Sequence, residues 1–300
     1  MSFIQREREV NATLVPPLDP SLFTPTDTEL AFLRLRISED DGGLRRRTLE
    51  IQKDEKYPYP CIRAFHHVSL MMLANPIYPV VLEAGKAGNA VFLDIGCCMG
   101  TDVRKLVSDG YPASNVLGCD LRPEFIDLGH KLFRDRDSCP IRFFTSDIFD
   151  LSVPSAFDGT LRSVHEAPPL IRVDQLSQLL GSLTHIYTGA LFHLFDETTQ
   201  YAIALRVAYL LKRESGTIVF GRHRGLECEG MIDDHLGRIR YGHSERSWPL
   251  LWKRVFAEVE DAEFAENRVK VQAKLDAPFD QHIPGTTRKG HMLVWSVQIT

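Results

Sequence analysis

Strands and helices alternate along the chain from residue 90 onward, and this pattern restricts the fold more than any other feature of the sequence. The apolar segments AVFLDIG (90–96), NVLGCDL (115–121) and IRFFTSDIFD (141–150) have the composition of buried strands. The first two are followed by segments with apolar residues at helical spacing, TDVRKLVSDG (101–110) and RPEFIDLGHKLFRDR (122–136). Alternating units of this kind predict an α/β fold with helices on both faces of a parallel sheet.

The second half of the chain continues the alternation and changes it at the end. We predict a long loop over 151–169 and then helix 173–187, strand 188–196, helix 196–213, strand 215–225, helix 248–260 and strands 267–275 and 291–300. No helix separates the last two strands, and at least one of them must therefore run antiparallel to the others. The sequence thus predicts a Rossmann-like, doubly wound sheet of seven strands.

Residues 1–88 are expected to form an extension and a helical cap, which folds as one unit with the ligand-binding domain at 89–300. Thr26 or Asp27 is suited to cap a helix over 28–37, and residues 40–43 read as a loop. Apolar residues at helical spacing predict a helix over 60–74, ended before Pro76, and another over roughly 77–86.

Composition excludes several classes of partner. Lys and Arg total 35 against 40 Asp and Glu, and a net charge of −5 gives no general reason to bind nucleic acid or an anionic membrane. No run of about 18 apolar residues is present and the N-terminus has no apolar core of a signal peptide, so we expect a cytoplasmic protein. The six cysteines form no CxxC pair, and we expect no metal site.

The segment FLDIGCCMG (92–100) carries the strongest functional signal. A buried strand ends at Asp94 and a glycine-rich turn then opens a helix, where Gly96 allows a ligand to approach the backbone and Gly100 allows close packing. Cys98 occupies the position where a dinucleotide-binding turn has its second glycine. The spacing D-x-G-x-x-x-G fits an adenosylmethionine-binding turn better than the turn of an NAD enzyme.

Two further acids end the next two predicted strands. Asp120 is placed to accept both ribose hydroxyls of an adenosine, a role that NAD enzymes share. Asp147 is placed to accept the exocyclic amine of adenine while Ile148 packs on the ring, which NAD enzymes do not require. Three acids that close three successive strands therefore favour adenosylmethionine as the cofactor.

The layout resembles the class I adenosylmethionine-dependent methyltransferases. The segments DIGCCMGTDVRKLVSDG and GCDLRPEFIDLGHKLFRDR, together with YPYPCIRAF, resemble the fungal O-methyltransferases of meroterpenoid and related secondary-metabolite pathways, such as those of the austinol type. The resemblance covers residues 55–225 well and implies that a carboxyl group of a polyketide-derived small molecule is methylated. It also implies these cofactor contacts: Asp94, Gly96 and Cys97 in the turn, Asp120 with Leu121, and Asp147 with Ile148.

Candidates for the acceptor side follow the fourth and fifth predicted strands. His193 is expected at the carboxyl end of the fourth strand, as a base or as a hydrogen-bond donor. Arg222, with His223 and Arg224, is expected just after the fifth strand, where a cation would hold a carboxylate. Either His66 or His67 in the cap, and His165 with Glu166 in the long loop, are further candidates.

Several alternatives stay open. The acceptor atom is a carboxylate, a phenol oxygen or a nitrogen, and only an acceptor that carries a proton at working pH needs a base. Two alternatives belong to other functional classes: a dehydrogenase-like NAD enzyme, and a non-catalytic protein with the same fold. The cap carries apolar side chains beyond those that the sheet requires, and we expect that it covers the ligands and that it is also able to support a homodimer.

Overall fold

The computed structural model describes residues 17–54, 60–153, 168–232, 239–277, 279–280 and 289–300. Helices and strands are numbered along the chain. The helices are α1 (Asp27–Arg36), α2 (Asp41–Asp54), α3 (Pro60–Arg63), α4 (Tyr78–Lys86), α5 (Thr101–Ser108), α6 (Pro123–Phe133), α7 (Glu197–Leu210), α8 (Ser247–Val259) and α9 (Ala262–Arg268). The strands are β1 (Phe92–Ile95), β2 (Val116–Asp120), β3 (Arg142–Thr145), β4 (His185–Thr188), β5 (Ile218–Gly225), β6 (Gly230–Ile232), β7 (Arg240–Gly242), β8 (Val269–Leu275), β9 (Phe279–Asp280) and β10 (Lys289–Ile299).

Seven strands form one mixed sheet in the order β3-β2-β1-β4-β5-β10-β8, and the short β9 pairs with the end of β10. Strands β3, β2, β1, β4 and β5 are mutually parallel. Strand β10 lies between β5 and β8 and is antiparallel to both. The predicted doubly wound sheet with an antiparallel final strand is therefore confirmed.

Helices cover both faces of the sheet. Helices α4 and α5 pack on one face, where Val81 and Leu106 meet Phe92 of β1. Helices α7 and α8 pack on the other face, where Trp252 and Trp295 are both at most 1% exposed. Apolar side chains fill both layers, and their burial is the main favourable contribution to folding.

The N-terminal helices pack against α6 beside the sheet. Leu33 of α1 is fully buried, and the ring of Phe32 lies 6.4 Å from the ring of Phe133 at the end of α6. Arg47 of α2 donates to the backbone oxygen of Leu132. Thr26, one of the two capping residues that the sequence predicts, caps α1. It also forms a reciprocal capping box with Glu29.

The prediction of a helix over 60–74 is wrong. Helix α3 ends at Arg63, and a single 3₁₀ turn follows at His66–Val68. Phe65 separates the two with a left-handed backbone, φ +60°, which a continuous helix does not tolerate. Beyond this point the backbone bonds to other parts of the fold, because the N–H of Leu70 donates to Glu29.

The fourth strand was also placed incorrectly. The segment predicted as helix 173–187 contains a 3₁₀ turn at Leu176–Leu179 and then β4 at His185–Thr188, which pairs with β1. Leucines at spacings of three and four mimic a helix here, but the N–H groups of Thr184 and His185 bond to Val91. Residues 189–196, expected as strand, contain a 3₁₀ turn instead.

Other differences are local. Helix α2 begins inside the expected loop at 40–43, where Asp40 accepts the N–H of Gly43. Helix α9 and the β6–β7 hairpin have no counterpart in the sequence prediction, and most of the predicted 151–169 loop lies outside the described residues. Within the described ranges, no helix is long and apolar enough to cross a membrane.

Candidate active site

The glycine-rich turn between β1 and α5 stands at the carboxyl edge of the parallel strands. Gly96 and Gly100 have φ values of +80° and +69°, which glycine adopts without the steric cost that a side chain adds. Cys98 has φ +51°, so this cysteine takes the left-handed conformation at the position where a dinucleotide turn has glycine. The N–H groups of Gly96 and Cys97 both donate to the oxygen of Cys119, which joins the turn to β2.

The two glycines of the turn have different surroundings. A Cβ at Gly96 would meet no heavy atom within 4 Å, so the turn is open at this point. A Cβ at Gly100 would lie 2.6 Å from Phe143 and 2.7 Å from Arg104. The sequence assigned these two roles, open approach and close packing, to the same two glycines.

Arg104, which the sequence does not predict as a site residue, supports the glycine-rich turn. Its side chain is 1% exposed and its Nη1 donates to the backbone oxygens of Met99, at 2.8 Å, and Gly100, at 3.1 Å. Its guanidinium also lies 4.9 Å from the centre of the Phe143 ring. The sequence feature that could have indicated this role is a charged residue on the apolar side of α5, next to Val103.

Asp120 ends β2 beside the turn. Its two carboxylate oxygens accept the N–H of Cys98, at 2.8 Å, and the N–H of Arg122, at 2.9 Å. Burial raises the pKa of Asp120, and these hydrogen bonds act in the opposite direction. Asp120 therefore shapes the turn, and each oxygen keeps a further lone pair for a ligand.

Asp147 follows β3 at the same edge of the sheet. Its side chain is half-buried and caps a 3₁₀ turn by accepting the N–H of Phe149 at 2.9 Å. Ile148 is 8% exposed, and Leu121, after β2, is half-buried. The structure thus brings the predicted cofactor residues of β1, β2 and β3 to adjacent strand ends.

Asp94 is buried beneath the turn, with 3% of its surface exposed. Its Oδ1 has no hydrogen-bond partner among the described residues. Burial raises the pKa of this carboxyl well above its usual value, and the neighbouring charges of Asp102 and Asp120 add to the effect. A positively charged ligand would favour the ionised form of Asp94.

One face of the sheet carries a polar cluster at the ends of β1, β4 and β5. Asp94 is in register with Tyr187, and Tyr187 with Phe220, so Arg222 lies on the same face two residues further along β5. The hydroxyl of Tyr187 and the Nε of Arg222 are buried and have no partner among the described residues. Asp94 and Arg222 are predicted as site residues from the sequence, whereas Tyr187 is not.

Residues 67–75, which we call the cap segment, are bonded to this edge of the fold. The Thr101 hydroxyl donates to the backbone oxygen of His67 at 2.5 Å. The next residue, Asp102, accepts the N–H of Met72 at 3.0 Å. The amide of Asn75 donates to the oxygens of Gly221, at 3.1 Å, and Trp295, at 3.2 Å. The cap segment is therefore tied to α5, β5 and β10.

The acceptor-side candidates are placed differently from the prediction. Arg222, His223 and Arg224 lie within β5 and do not follow it, since β5 ends at Gly225, where the predicted strand 215–225 also ends. His193 lies in the 3₁₀ turn Phe192–Leu194, beyond the end of β4, and is half-buried.

The other histidine candidates divide into buried and exposed. His223 is fully buried on the opposite face, where its Nδ1 accepts the indole N–H of Trp295. His67 is buried and His66 is exposed. Burial lowers the pKa of His67 to about 3, which keeps its imidazole neutral. His165 and Glu166 lie outside the described residues.

A three-residue group with metal-ligand atoms lies away from this edge. His130, Asp135 and Cys139 place their ligand atoms within 4.8 Å of one another. Arg104 donates two hydrogen bonds to the Asp135 carboxylate, so a guanidinium already fills the cation position there. This group therefore carries no metal assignment.

Comparison with known proteins agrees with this architecture. The methyltransferase domain family matches residues 92–185, from β1 to the start of β4. The chain is 30% identical over 266 residues to the O-methyltransferase phiE of a fungal species (strain ATCC 74256), with 82% of each chain covered. It is 32% identical over 203 residues to the methyltransferase adrK of Penicillium rubens, covering 67% of this chain and 66% of adrK.

Among solved structures, the chain is similar to an S-adenosylmethionine-dependent methyltransferase from Mesorhizobium loti. The TM-score is 0.44 at 15% identity, with 76% of this chain and 100% of the other chain covered. The predicted enzyme class and cofactor are confirmed by the domain match and the relatives. The chain belongs to the family of fungal secondary-metabolite methyltransferases that use S-adenosylmethionine.

Proposed function

We propose that this enzyme transfers a methyl group from S-adenosylmethionine to a carboxylate of a small polyketide-terpenoid (meroterpenoid) intermediate and forms a methyl ester. The observation that carries the proposal is Arg222, a half-buried cation within β5 whose Nε lacks a partner among the described residues. It comes one residue after Gly221, which pairs with Thr188 at the end of β4. A guanidinium in that position suits a planar carboxylate, with which it forms paired hydrogen bonds.

The cofactor occupies the edge formed by β1, β2 and β3. Asp120 accepts the ribose hydroxyls beside Leu121, and Asp147 accepts the adenine amine while Ile148 packs against the ring. The turn, with Asp94, Gly96 and Cys97, faces the methionine portion. The openness at Gly96 and the free lone pairs of Asp120 support this arrangement.

The chain's contribution to the chemistry is mainly alignment. Methyl transfer from a sulfonium is an in-line displacement, and its rate depends on how closely donor and acceptor are held. A carboxylic acid is already ionised at pH 7, so the acceptor oxygen attacks without a base. Arg222 binds the acid and His193 orients it.

Product chemistry tests the proposal. The enzyme is incubated with methyl-labelled S-adenosylmethionine and paired terpenoid or aryl acceptors, one with a free carboxyl group and one with a phenol. We expect label in a product that mild alkali saponifies. Label in an alkali-stable methyl ether or in an N-methyl group would instead establish the phenol or amine alternative.

Two substitutions then separate the roles of the acceptor residues. Arg222→Gln is expected to cost about 2–4 kcal/mol in transition-state binding, because the acid loses its cation. His193→Gln keeps a hydrogen-bond donor and is expected to keep a sizeable part of the activity. Arg36→Gln, exposed on α1, serves as the control for loss of an arginine. A nearly inactive His193→Gln enzyme with little effect of Arg222→Gln would contradict the proposal.

A further inference from the structure

The carboxylate of Asp102 joins two parts of the molecule. It is the second residue of α5 and follows the glycine-rich turn directly. Its Oδ1 accepts the N–H of Met72 at 3.0 Å. A single side chain thus links the cofactor turn to the backbone of the cap segment.

Acidic groups outnumber cationic groups among the residues whose charges act on Asp102. Arg222 of β5 is the cation that acts on it, whereas Glu29 of α1 and Asp94 of β1 are like charges. The phenols of Tyr187, on β4, and Tyr78, on α4, complete the surroundings. Burial, as the largest cause, raises the pKa of Asp102 to about 7, although the N–H of Met72 and the charge of Arg222 lower it.

Unpartnered polar atoms lie in the same cluster. Asp94 Oδ1 and the Tyr187 hydroxyl belong to residues that are 3% and 1% exposed, and neither atom has a partner among the described residues. Buried polar atoms without a partner are uncommon because their desolvation is not compensated. Their presence beside Asp102 indicates that a polar ligand approaches this cluster.

We propose that Asp102 is a positioning residue that couples cofactor binding to the docking of the cap segment. The bound cofactor brings positive charge, which favours the ionised carboxylate. An ionised carboxylate accepts a stronger hydrogen bond than its protonated form, so the N–H of Met72 is held more firmly. The proton that Asp102 loses passes to the solvent. The proposal rests on S-adenosylmethionine as cofactor and is independent of the acceptor.

Calorimetry in buffers of different ionisation enthalpy tests the proton release. S-adenosylmethionine is titrated into the full chain in phosphate and in Tris between pH 6 and 9. A group that is half protonated at pH 7 and becomes fully ionised releases about half a proton there and almost none at pH 9. Cofactor affinity accordingly rises with pH up to about 7 and is constant above.

Substitutions assign the proton to Asp102. Asp102→Asn keeps an acceptor oxygen without the charge and is expected to abolish the release. Asp102→Glu keeps a titratable acid and is expected to retain a release with a shifted midpoint, so it also serves if the asparagine variant folds poorly. Asp127→Asn, an exposed acid of α6, is the matched control and is expected to behave as wild type.

Hydrogen exchange measures how firmly the backbone of the cap segment is held. In wild type, the amide of Met72, corrected for its intrinsic rate, is expected to gain at least tenfold protection when the cofactor binds at pH 7. In Asp102→Asn the gain is expected to disappear. Wild-type binding without proton release near pH 7, an unchanged release in Asp102→Asn, or equal protection gains in both proteins would each overturn the proposal.

Discussion

Arg104 of α5 and Asp135, just after α6, form a buried two-point ion pair. The Nε of Arg104 donates to Oδ2 at 2.7 Å and Nη2 donates to Oδ1 at 2.9 Å. The same guanidinium donates to the oxygens of Met99 and Gly100 in the glycine-rich turn. The conformation of the turn therefore depends on an acid 35 residues after Gly100 in the chain, which α6 brings beneath it.

Substitution of Arg104 should destabilise the fold strongly. Arg104→Met leaves the carboxylate of Asp135 without its cation, and loss of one partner of a buried pair typically costs about 3–5 kcal/mol. Urea denaturation measures the free energy of unfolding. Arg136→Met breaks an ion pair whose two side chains are both about 60% exposed, and it should cost less than about 1 kcal/mol. Equal losses of unfolding free energy in the two variants would show that the buried ion pair stabilises the fold no more than the exposed one.

The ion pair should also make the free energy of unfolding depend on pH in the acidic range. Burial acts to raise the pKa of Asp135, but the hydrogen bonds and charge of Arg104 hold that pKa below its usual value. A lowered pKa in the folded state gives stability that is present above the unfolded value, about 4, and is lost as the pH falls through the folded value. Asp135→Asn should therefore lose less stability than wild type between pH 5 and pH 2, as thermal unfolding across that range measures.

Asp120 should contribute to cofactor affinity and to the turn itself. Asp120→Asn keeps the shape and one carbonyl acceptor but removes the charge offered to the ribose hydroxyls. We expect a loss of about 2–3 kcal/mol in the binding of S-adenosylhomocysteine, measured by calorimetry. Asp120→Ala should in addition lower stability, because the N–H of Cys98 then loses its acceptor. Normal affinity in the asparagine variant would mean that Asp120 only shapes the turn.

Asn75 should be necessary for the position of the cap segment. Its amide satisfies two carbonyl oxygens, of Gly221 and Trp295, and it is 5% exposed. Asn75→Ala leaves both oxygens without this donor and should cost about 1–3 kcal/mol of stability. Limited proteolysis should then cut between residues 67 and 75 earlier than in wild type. Ser114→Ala removes an exposed hydroxyl from the loop before β2 and provides the control.

The class of fold, and the strand ends that carry the predicted cofactor residues, follow from local patterns in the sequence. Strands β1, β2 and β3 are short apolar segments that end in an acid or lead directly to one, and periodicity together with glycine spacing is enough to place them. The residues Asp94, Gly96, Asp120 and Asp147 follow, because the carboxyl ends of parallel strands meet at one edge. These inferences depend on local pattern, and local pattern is visible in one sequence.

The tertiary structure decided the rest. His185–Thr188 is a strand because it bonds to β1, although its own neighbourhood has helical spacing. The cap segment is not a helix because Thr101 and Asp102 bond to its backbone, and its own Asn75 donates to Gly221 and Trp295. Arg104 is buried because Asp135 compensates its charge. In each case the deciding bond joins residues far apart in sequence, and its energy exceeds the local preference that a sequence pattern reports.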